Sequence, residues 1–232
     1  MFKKEGFTLI EMSIVLVVIG LIIGGVLVGK EMIWQTKMRK IISDVNDYTM
    51  AIQQFNDKYG MLPGDISNAR SYWPSCQNYS GGNNCNGNGN GRLTSDWFEC
   101  FRAWEHLSLA KMVKGSYVGN FFSPAPPWRM GESGPKGSLP KTGFIFRESS
   151  MYGLTGNTLI FADIRSPSLI TGRLGSFDTR ALDKKMDDGI ADGGKLRTYD
   201  NANNCARQYW ATESFYRLSN ASKTCVPVFF LD

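Results

Sequence analysis

The amino-acid sequence predicts an α+β fold, with one long N-terminal helix followed by a globular domain that contains strands and long irregular loops. Three observations lead to this fold class. Residues 7–29 are almost entirely apolar, residues 34–59 carry apolar side chains at helical spacing, and three later segments are rich in β-branched and aromatic residues.

The apolar segment at residues 7–29 is long enough to cross a membrane. It contains a single ionisable residue, Glu11, and as a helix it would span roughly 30 Å, the thickness of a bilayer core. Lys3 and Lys4 precede it, and the small residue Gly6 lies before the apolar run, whereas a secretory signal has its small-residue cleavage site after that run. The positive end should stay in the cytoplasm, so the rest of the chain is expected outside.

The helix continues beyond the apolar segment. Apolar residues recur at alternating spacings of four and three along residues 34–59, and charged residues lie between them, as on a half-buried helix. The stripe consists of Trp34, Met38, Ile41, Val45, Tyr48, Ile52, Phe55 and Tyr59. Gly60 can adopt the left-handed conformation that ends a helix, and Pro63 prevents continuation. We therefore predict one helix of roughly 50 residues whose amphipathic second half packs on a globular domain.

The remainder of the chain alternates short regular segments with polar loops. Residues 97–112 are expected to form a second helix. Loops are expected at residues 66–95, 119–141 and 178–204, which are rich in Gly, Asn, Asp or Pro. Strands are predicted at Gly143–Arg147, Asn157–Ala162 and Val226–Leu231.

The composition restricts the function. The net charge of +5 is small and part of it comes from lysines beside the apolar segment, so it gives no indication of nucleic-acid binding. The five cysteines include no CxxC pair and the chain has one histidine, His106, which does not fit a zinc site. Cys100 and His106 would diverge by about 240° around a helix, so they form no catalytic pair. His106 is expected at a surface or an interface, and no enzyme activity is predicted.

The segment KKEGFTLIEMSIVLVVIG, at residues 3–20, resembles the N-terminus of type IV pilins and of type II secretion pseudopilins. It has a short basic leader that ends at Gly6, then Phe7 and Glu11, then an uninterrupted apolar helix; the lack of a proline in that helix departs from the common pattern. The resemblance implies that the second half of the helix packs on a small antiparallel sheet. It also implies that a prepilin peptidase cuts between Gly6 and Phe7 and that Phe7 becomes the N-methylated first residue.

Glu11 is expected to take part in assembly. A carboxylate inside a membrane helix costs about 2.5–3.5 kcal/mol on insertion and usually has a partner. No Lys or Arg lies within one helical turn of Glu11, so the nearest cation would be the amine that cleavage creates at Phe7, on the same helix or on a neighbouring one. Two GxxxG spacings permit close helix contact, at Gly20–Gly24 and Gly25–Gly29.

The resemblance implies a structural subunit with four segments, namely a leader at 1–6, a transmembrane and polymerisation segment at 7–29, an amphipathic segment at 30–60 and a pilin-like globular domain at 61–232. Its partners would be further copies of the chain, prepilin peptidase and the inner-membrane assembly machinery. The precursor would lie in the bacterial inner membrane before the subunit enters an extracellular pilus or a periplasmic pseudopilus. Two alternatives stay open: a minor pseudopilin of a type II secretion or DNA-uptake system, and a membrane-tethered binding protein or adhesin.

Export predicts two disulfides and one remaining thiol among the five cysteines. The resemblance implies a bridge between Cys205 and Cys225, since pilins often close a C-terminal loop onto the last strand in this way. Cys76–Cys85 is the next pair to expect, which leaves Cys100 unpaired, and Cys85–Cys100 is a competing assignment.

Two polar loops are candidate calcium sites. The first has the alternation and the glycine of a calcium-binding loop but brings no formal charge, and its members are Asn86, Asn88 and Asn90. The second is acidic without matching a template, and some pseudopilins that resemble this chain bind calcium in a C-terminal loop; its members are Asp183, Asp187 and Asp188. Both segments also fit solvated turns, so the sequence alone requires no cofactor.

Overall fold

The computed structural model describes residues 6, 8–76, 85–94, 97–119, 128–166, 169–199, 205–209, 212–218 and 222–231. These residues form an α+β fold with a long N-terminal helix and a small antiparallel sheet, which confirms the predicted fold class. The helices are α1 (Leu9–Tyr59), α2 (Ala69–Tyr72), α3 (Trp97–Leu109) and α4 (Ser176–Met186). The strands are β1 (Gly143–Met151), β2 (Leu154–Ser166), β3 (Leu169–Thr171), β4 (Leu196–Tyr199), β5 (Ala206–Tyr209), β6 (Thr212–Tyr216) and β7 (Val226–Phe230).

Helix α1 is continuous over 51 residues and belongs to both of the compact units into which the chain divides, Met1–Arg39 and Lys40–Asp232. The helix ends where the sequence predicts. Gly60 has a φ of +69°, and its amide donates a hydrogen bond to the carbonyl oxygen of Asn56. A left-handed glycine in this place satisfies a terminal carbonyl and turns the chain away from the helix.

The principal sheet is antiparallel and has five strands. Its main path runs in the order β1–β2–β7–β4, and β3 pairs with β2 outside that path. In the β1–β2 hairpin Phe144 lies opposite Phe161, which places both rings on one face. Strands β5 and β6 form a separate two-stranded hairpin. Strand β7, which follows most of the domain in sequence, thus fills the position between β2 and β4.

The core of the second unit lies between the C-terminal part of α1, helix α3 and one face of the sheet. The ring of Tyr48 makes edge contacts with Trp104 and with Phe144, at centroid distances of 4.9 and 5.1 Å, and Trp104 packs on Phe146 at 4.3 Å. Burial of an aliphatic or aromatic side chain of this kind stabilises the fold by about 1.5–3 kcal/mol. The stripe on α1 contributes the buried side chains Ile41, Val45, Ile52 and Phe55.

The loop predicted at residues 178–204 is partly wrong, because α4 and β4 lie within it. The buried face of α4 has one apolar member, so apolar periodicity gave no signal for a helix. That face consists of Ser176, Thr179, Leu182 and Asp183. The short helix α2 likewise lies inside the loop predicted at 66–95, and α3 ends at Leu109 rather than at residue 112.

Candidate functional site

The N-terminal signal begins at an exposed glycine. Gly6 precedes α1, and among the described residues no heavy atom lies within 4 Å of the position that a Cβ would take there. Phe7, which is predicted to follow the cleaved bond, lies outside the described residues. A larger residue at position 6 would therefore not clash with any described part of the chain. If glycine is required there, the reason would be contact with another protein.

Thr8 and Glu11 form a reciprocal cap at the start of α1. The Oε2 atom of Glu11 accepts hydrogen bonds from the backbone N–H of Thr8 at 2.8 Å and from its hydroxyl at 2.7 Å. In return, the Glu11 amide donates to the Thr8 Oγ1 atom at 3.3 Å. This arrangement is a capping box, which satisfies two amides that the first turn of a helix leaves unpaired. Our sequence analysis missed it, although the T-x-x-E spacing carries the signal.

The first half of α1 exposes its apolar side chains. An 18-residue window has a mean hydropathy of 2.8 and none of its residues is buried, so α1 can cross a membrane by length and composition. Four glycines add open backbone surface to this half, because no described atom beyond their own helical turn lies within 4 Å of the place of a Cβ. They are Gly20, Gly24, Gly25 and Gly29. Such a surface suits lipid or close contact with another helix.

The comparison with known families concerns this N-terminal segment. Residues 1–27 match the family model described as the prokaryotic N-terminal methylation motif, the hallmark of the signal of type IV pilins and pseudopilins. The chain carries a prepilin-type signal. No curated protein and no solved structure matches the chain.

The prepilin-type signal supports a pilin-like or pseudopilin substrate of prepilin peptidase, and it implies pilus or secretion assembly. Together with the apolar helix α1, it fits a membrane-anchored precursor. The signal also points to a structural protein.

Two disulfides stabilise the domain that follows the prepilin-type signal. They join Cys76 to Cys85 and Cys205 to Cys225, the pairing that the sequence analysis put first, and not the competing Cys85–Cys100 bridge. Cys100 is buried and belongs to neither bridge, and its Sγ atom lies 3.9 Å from the carbonyl oxygen of Thr94. The second bridge ties the residue before β5 to the residue before β7.

His106 is fully buried, so the expectation of a surface or interface position is wrong. Its Nδ1 atom accepts a hydrogen bond from the Gly64 amide at 2.9 Å, and its Nε2 atom, 3.0 Å from the carbonyl oxygen of Cys85, donates to that oxygen. Burial lowers the pKa of the imidazole to about 3, which keeps the ring neutral. Because both ring nitrogens join separate segments of backbone, His106 acts as a structural link.

The asparagines of the first candidate calcium loop accept hydrogen bonds from nearby backbone amides. The Oδ1 atom of Asn88 accepts from the Asn90 amide at 3.0 Å, and the Oδ1 atom of Asn90 accepts from the Arg92 amide at 2.8 Å. The Oδ1 atom of Asn86 accepts from the Arg70 amide at 3.1 Å. Each side-chain oxygen that a calcium template would direct at an ion thus already has a protein donor.

The aspartates of the second candidate loop lie together at the end of α4. One carboxylate oxygen from each of Asp183, Asp187 and Asp188 lies within 4.8 Å of the others. Burial, with a smaller contribution from the two neighbouring aspartates, raises the pKa of Asp183 to about 6, and its Oδ2 atom accepts a hydrogen bond from the Tyr216 hydroxyl at 2.7 Å. Carboxylate oxygens in such a group are of the type that a hard cation such as Ca²⁺ binds.

A cavity of about 260 Å³ lies against β1 and β7. Its wall mixes polar side chains, including Arg147 and Ser149, with the apolar side chains of Ile160 and Val228. The Ser149 hydroxyl lies 2.9 Å from the Thr158 hydroxyl, so it is paired within the sheet.

Proposed function

We propose that the chain is a structural pilin subunit, which prepilin peptidase cleaves and which polymerises into a type IV pilus or a related filament. The observation that carries this proposal is a prepilin-type signal followed by an exposed apolar helix with one ionisable residue, Glu11, among residues 7–29. Exposure of so much apolar surface to water is unfavourable, so the helix must be shielded from water on every side. Lipid covers the helix in the precursor, and neighbouring copies of α1 cover it in the filament.

Processing would take place at the bond between Gly6 and Phe7. The open surroundings of Gly6 leave room for a peptidase cleft to close around the backbone. Cleavage removes the leader with its two lysines and creates a new amine at Phe7, which then carries one methyl group. The reaction therefore places a cation at the start of an otherwise apolar segment.

Glu11 would form an ion pair with that amine on an adjacent subunit. Both of its hydrogen bonds to Thr8 use Oε2, and within the described part of the chain no donor contacts Oε1. The cap also directs the carboxylate toward the N-terminal end of the helix, where the amine of a staggered neighbour would lie. Apolar packing is non-directional, whereas an ion pair in a medium of low dielectric constant is strong. The pair would therefore fix the axial register between subunits.

The location of each segment follows from this assembly. The lysine-rich leader would remain in the cytoplasm until cleavage, because positive charge is retained on that side of the inner membrane. The disulfide-bonded domain would face the oxidising side. After assembly, the subunit would lie in an extracellular pilus or in a periplasmic pseudopilus.

The test of assembly replaces Glu11 and measures filaments sheared from cells. We expect Glu11→Gln and Glu11→Ala to leave the processed subunit in the membrane but to reduce filament yield sharply. Ser13→Ala is the matched control, because Ser13 lies in the same segment and its hydroxyl bonds to the carbonyl oxygen of Ile10 in its own helix. Wild-type filament yields from both Glu11 variants would refute the role of this residue.

The test of processing is the intact mass of the mature chain. We expect it to begin at Phe7 with one additional methyl group, and a mature chain that retains residues 1–6 would contradict the proposal. The same mass spectra of sheared filaments separate the two versions of the function. A major pilin would dominate the preparation, whereas a minor pseudopilin of a secretion or DNA-uptake system would be scarce beside another subunit.

A further inference from the structure

Three Asn-Gly pairs follow one another in the loop that begins at Cys85. In such a pair the glycine nitrogen, after losing its proton, attacks the side-chain carbonyl carbon of the asparagine and ammonia leaves. Water then opens the cyclic imide to aspartate or isoaspartate, so asparagine and water become the acid and ammonia. Glycine permits this attack because it has no side chain to obstruct it. The pairs are Asn86–Gly87, Asn88–Gly89 and Asn90–Gly91.

Two of these pairs are exposed to water yet have their glycine amides occupied. Asn88 and Asn90 are exposed, whereas Asp65, around which the loop is wrapped, is buried. The Gly89 amide donates to Oδ1 of Asp65 at 2.7 Å, and the Gly91 amide donates to Oδ2 at 2.7 Å. The Gly89 amide donates as well to the backbone carbonyl oxygen of Asp65, at 2.9 Å. The amide of Asn90 also donates to Oδ1, at 3.0 Å. One carboxylate therefore binds both of the nitrogens that would act as nucleophiles.

The fit between the loop and Asp65 is close. A Cβ at Gly87 would lie 2.3 Å from the carbonyl oxygen of Gly64, so the loop backbone rests directly on the backbone before Asp65. Gly89 and Gly91 have φ values of +74° and +79°, a left-handed conformation that glycine adopts without strain. The arrangement is fixed by backbone geometry as well as by hydrogen bonds.

We propose that Asp65 protects the Asn88–Gly89 and Asn90–Gly91 pairs from deamidation by holding both glycine amides on its carboxylate. Each attack would require the glycine nitrogen to give up a charge-assisted hydrogen bond. It would also require an amide anion to form beside a carboxylate, where like charges repel. Deamidation at either asparagine would add a negative charge to the loop, because the aspartate or isoaspartate that forms is ionised at neutral pH.

The third pair supplies an internal control. The Gly87 amide donates to the carbonyl oxygen of Ile66 at 2.8 Å, not to Asp65. Loss of the Asp65 charge should therefore weaken the bond to the Gly91 amide most, weaken the hold on the Gly89 amide, which keeps its bond to the Asp65 carbonyl oxygen, and leave the Gly87 amide bonded. A second control is Glu99, a buried carboxylate that accepts from the Asn88 amide but from no glycine amide of these pairs.

The experiment uses the full chain in detergent with its disulfides intact, kept at mildly alkaline pH and analysed by peptide mapping for each asparagine. In the native wild type we expect deamidation at Asn88 and Asn90 to be at least about tenfold slower than in the reduced, denatured chain, as the loss of a charge-assisted hydrogen bond predicts. Asp65→Asn should raise the native rate at Asn90 by a similar factor and the rate at Asn88 by less, because the Gly89 amide keeps the Asp65 carbonyl oxygen, without an equal rise at Asn86. Glu99→Gln should not raise them.

Three outcomes would overturn the proposal. An equal rise at all three asparagines in Asp65→Asn would mean that the loop has merely loosened, and no rise would mean that the carboxylate gives no protection. If Glu99→Gln raised the deamidation rates as much as Asp65→Asn, the loss of any buried carboxylate near the loop would explain the effect. One further measurement needs no variant. In the wild type, residue-resolved hydrogen exchange should be slow at Gly89 and Gly91, and exchange at the rate of an unstructured peptide would also overturn the proposal.

Discussion

Residues 9–29 and residues 40–59 are parts of one continuous helix, and both carry many apolar side chains. In the first segment these side chains are exposed, as Ile19 is at 46 %, whereas in the second the stripe residues are buried, as Phe55 is at 0 %. The first segment, called here the membrane half because α1 can cross a membrane by length and composition, therefore has no cover for these side chains within the described chain. The domain half holds the fold together. Substitutions in the two halves should consequently affect assembly and stability separately.

The largest expected effect is in the domain half. Phe55→Ala should lower the free energy of unfolding by about 3–5 kcal/mol, because it removes a fully buried ring from the core. Ile19→Ala is the matched variant in the membrane half and should leave the unfolding of the domain unchanged while it weakens filaments. Urea unfolding of the detergent-solubilised chain measures the first effect and filament yield the second. Equal losses of stability in the two variants would break the comparison.

The disulfides should stabilise the domain alone. Replacing Cys205 and Cys225 by serine opens a bridge with a sequence separation of 20 and should cost about 3 kcal/mol in unfolding free energy. The same replacement of Cys76 and Cys85, with a separation of 9, should cost somewhat less because the closed loop is shorter. Membrane insertion of the precursor should be normal in both variants. A larger loss for the shorter loop would show that closure entropy is not the dominant factor.

The calcium hypothesis also concerns the domain alone. A cation that binds the folded state should stabilise it by about 2.7 kcal/mol at a hundredfold excess over its dissociation constant. The melting temperature should therefore rise when calcium replaces a chelator. Asp187→Ala should abolish that rise if the aspartate cluster binds the ion, and Asn88→Ala should abolish it if the asparagine loop does. The same melting temperature with calcium and with chelator would remove the ion from both loops.

The stability of the domain should depend on pH through His106. Its pKa is lowered from 6.5 to about 3 in the fold, so below pH 6.5 the unfolded chain binds a proton that the folded chain does not. Stability is therefore present above that pH and is lost as the pH falls toward 3, by about 1.4 kcal/mol per pH unit. Unfolding at a series of pH values measures the slope. The side chain in His106→Gln can still donate and accept hydrogen bonds but does not titrate, so this variant should reduce the dependence of the unfolding free energy on pH. An unchanged slope would show that other groups cause it.

The smallest effect should be in the first turn of α1. Thr8→Ala removes the cap and should reduce the stability of that turn by about 1 kcal/mol, without any change in domain unfolding. Thr8→Ser keeps the hydroxyl and is the control. Hydrogen exchange of the amides after residue 8 measures the difference. If exchange is the same in the two variants, the capping box does not hold the helix start.

The sequence predictions were correct where the sequence carries a clear physical signal. Helix α1 was predictable because its stripe alternates at spacings of four and three and ends at Gly60 and Pro63. The pairing of Cys205 with Cys225 followed from the resemblance to pilins, and no rule of spacing supplied it. The cap at Thr8 was predictable from the T-x-x-E pattern, in which the Glu11 carboxylate is a hydrogen-bond acceptor as well as a charge.

Other features had no signal in a single sequence. Helix α4 buries Ser176, Thr179 and Asp183 beside one leucine, so its inner face looks as polar as its outer face. Strand β4 has four residues, too few for a period to show. The role of Asp65 depends on a turn that brings it to glycines more than twenty residues later in the chain, and only the folded backbone shows that contact.

The strand order of the sheet has a consequence for the order of folding. Strand β2 can pair with β1 and β3 as soon as those strands have been synthesised, but β4 has no partner in this sheet until Val226–Phe230 follows it. Until then one edge of β2 and both edges of β4 are open, and open strand edges are prone to pair with other chains. The bridge from Cys205 to Cys225 lies directly before β7, so oxidation of that pair would hold the last strand near its place and shorten the interval in which those edges can aggregate.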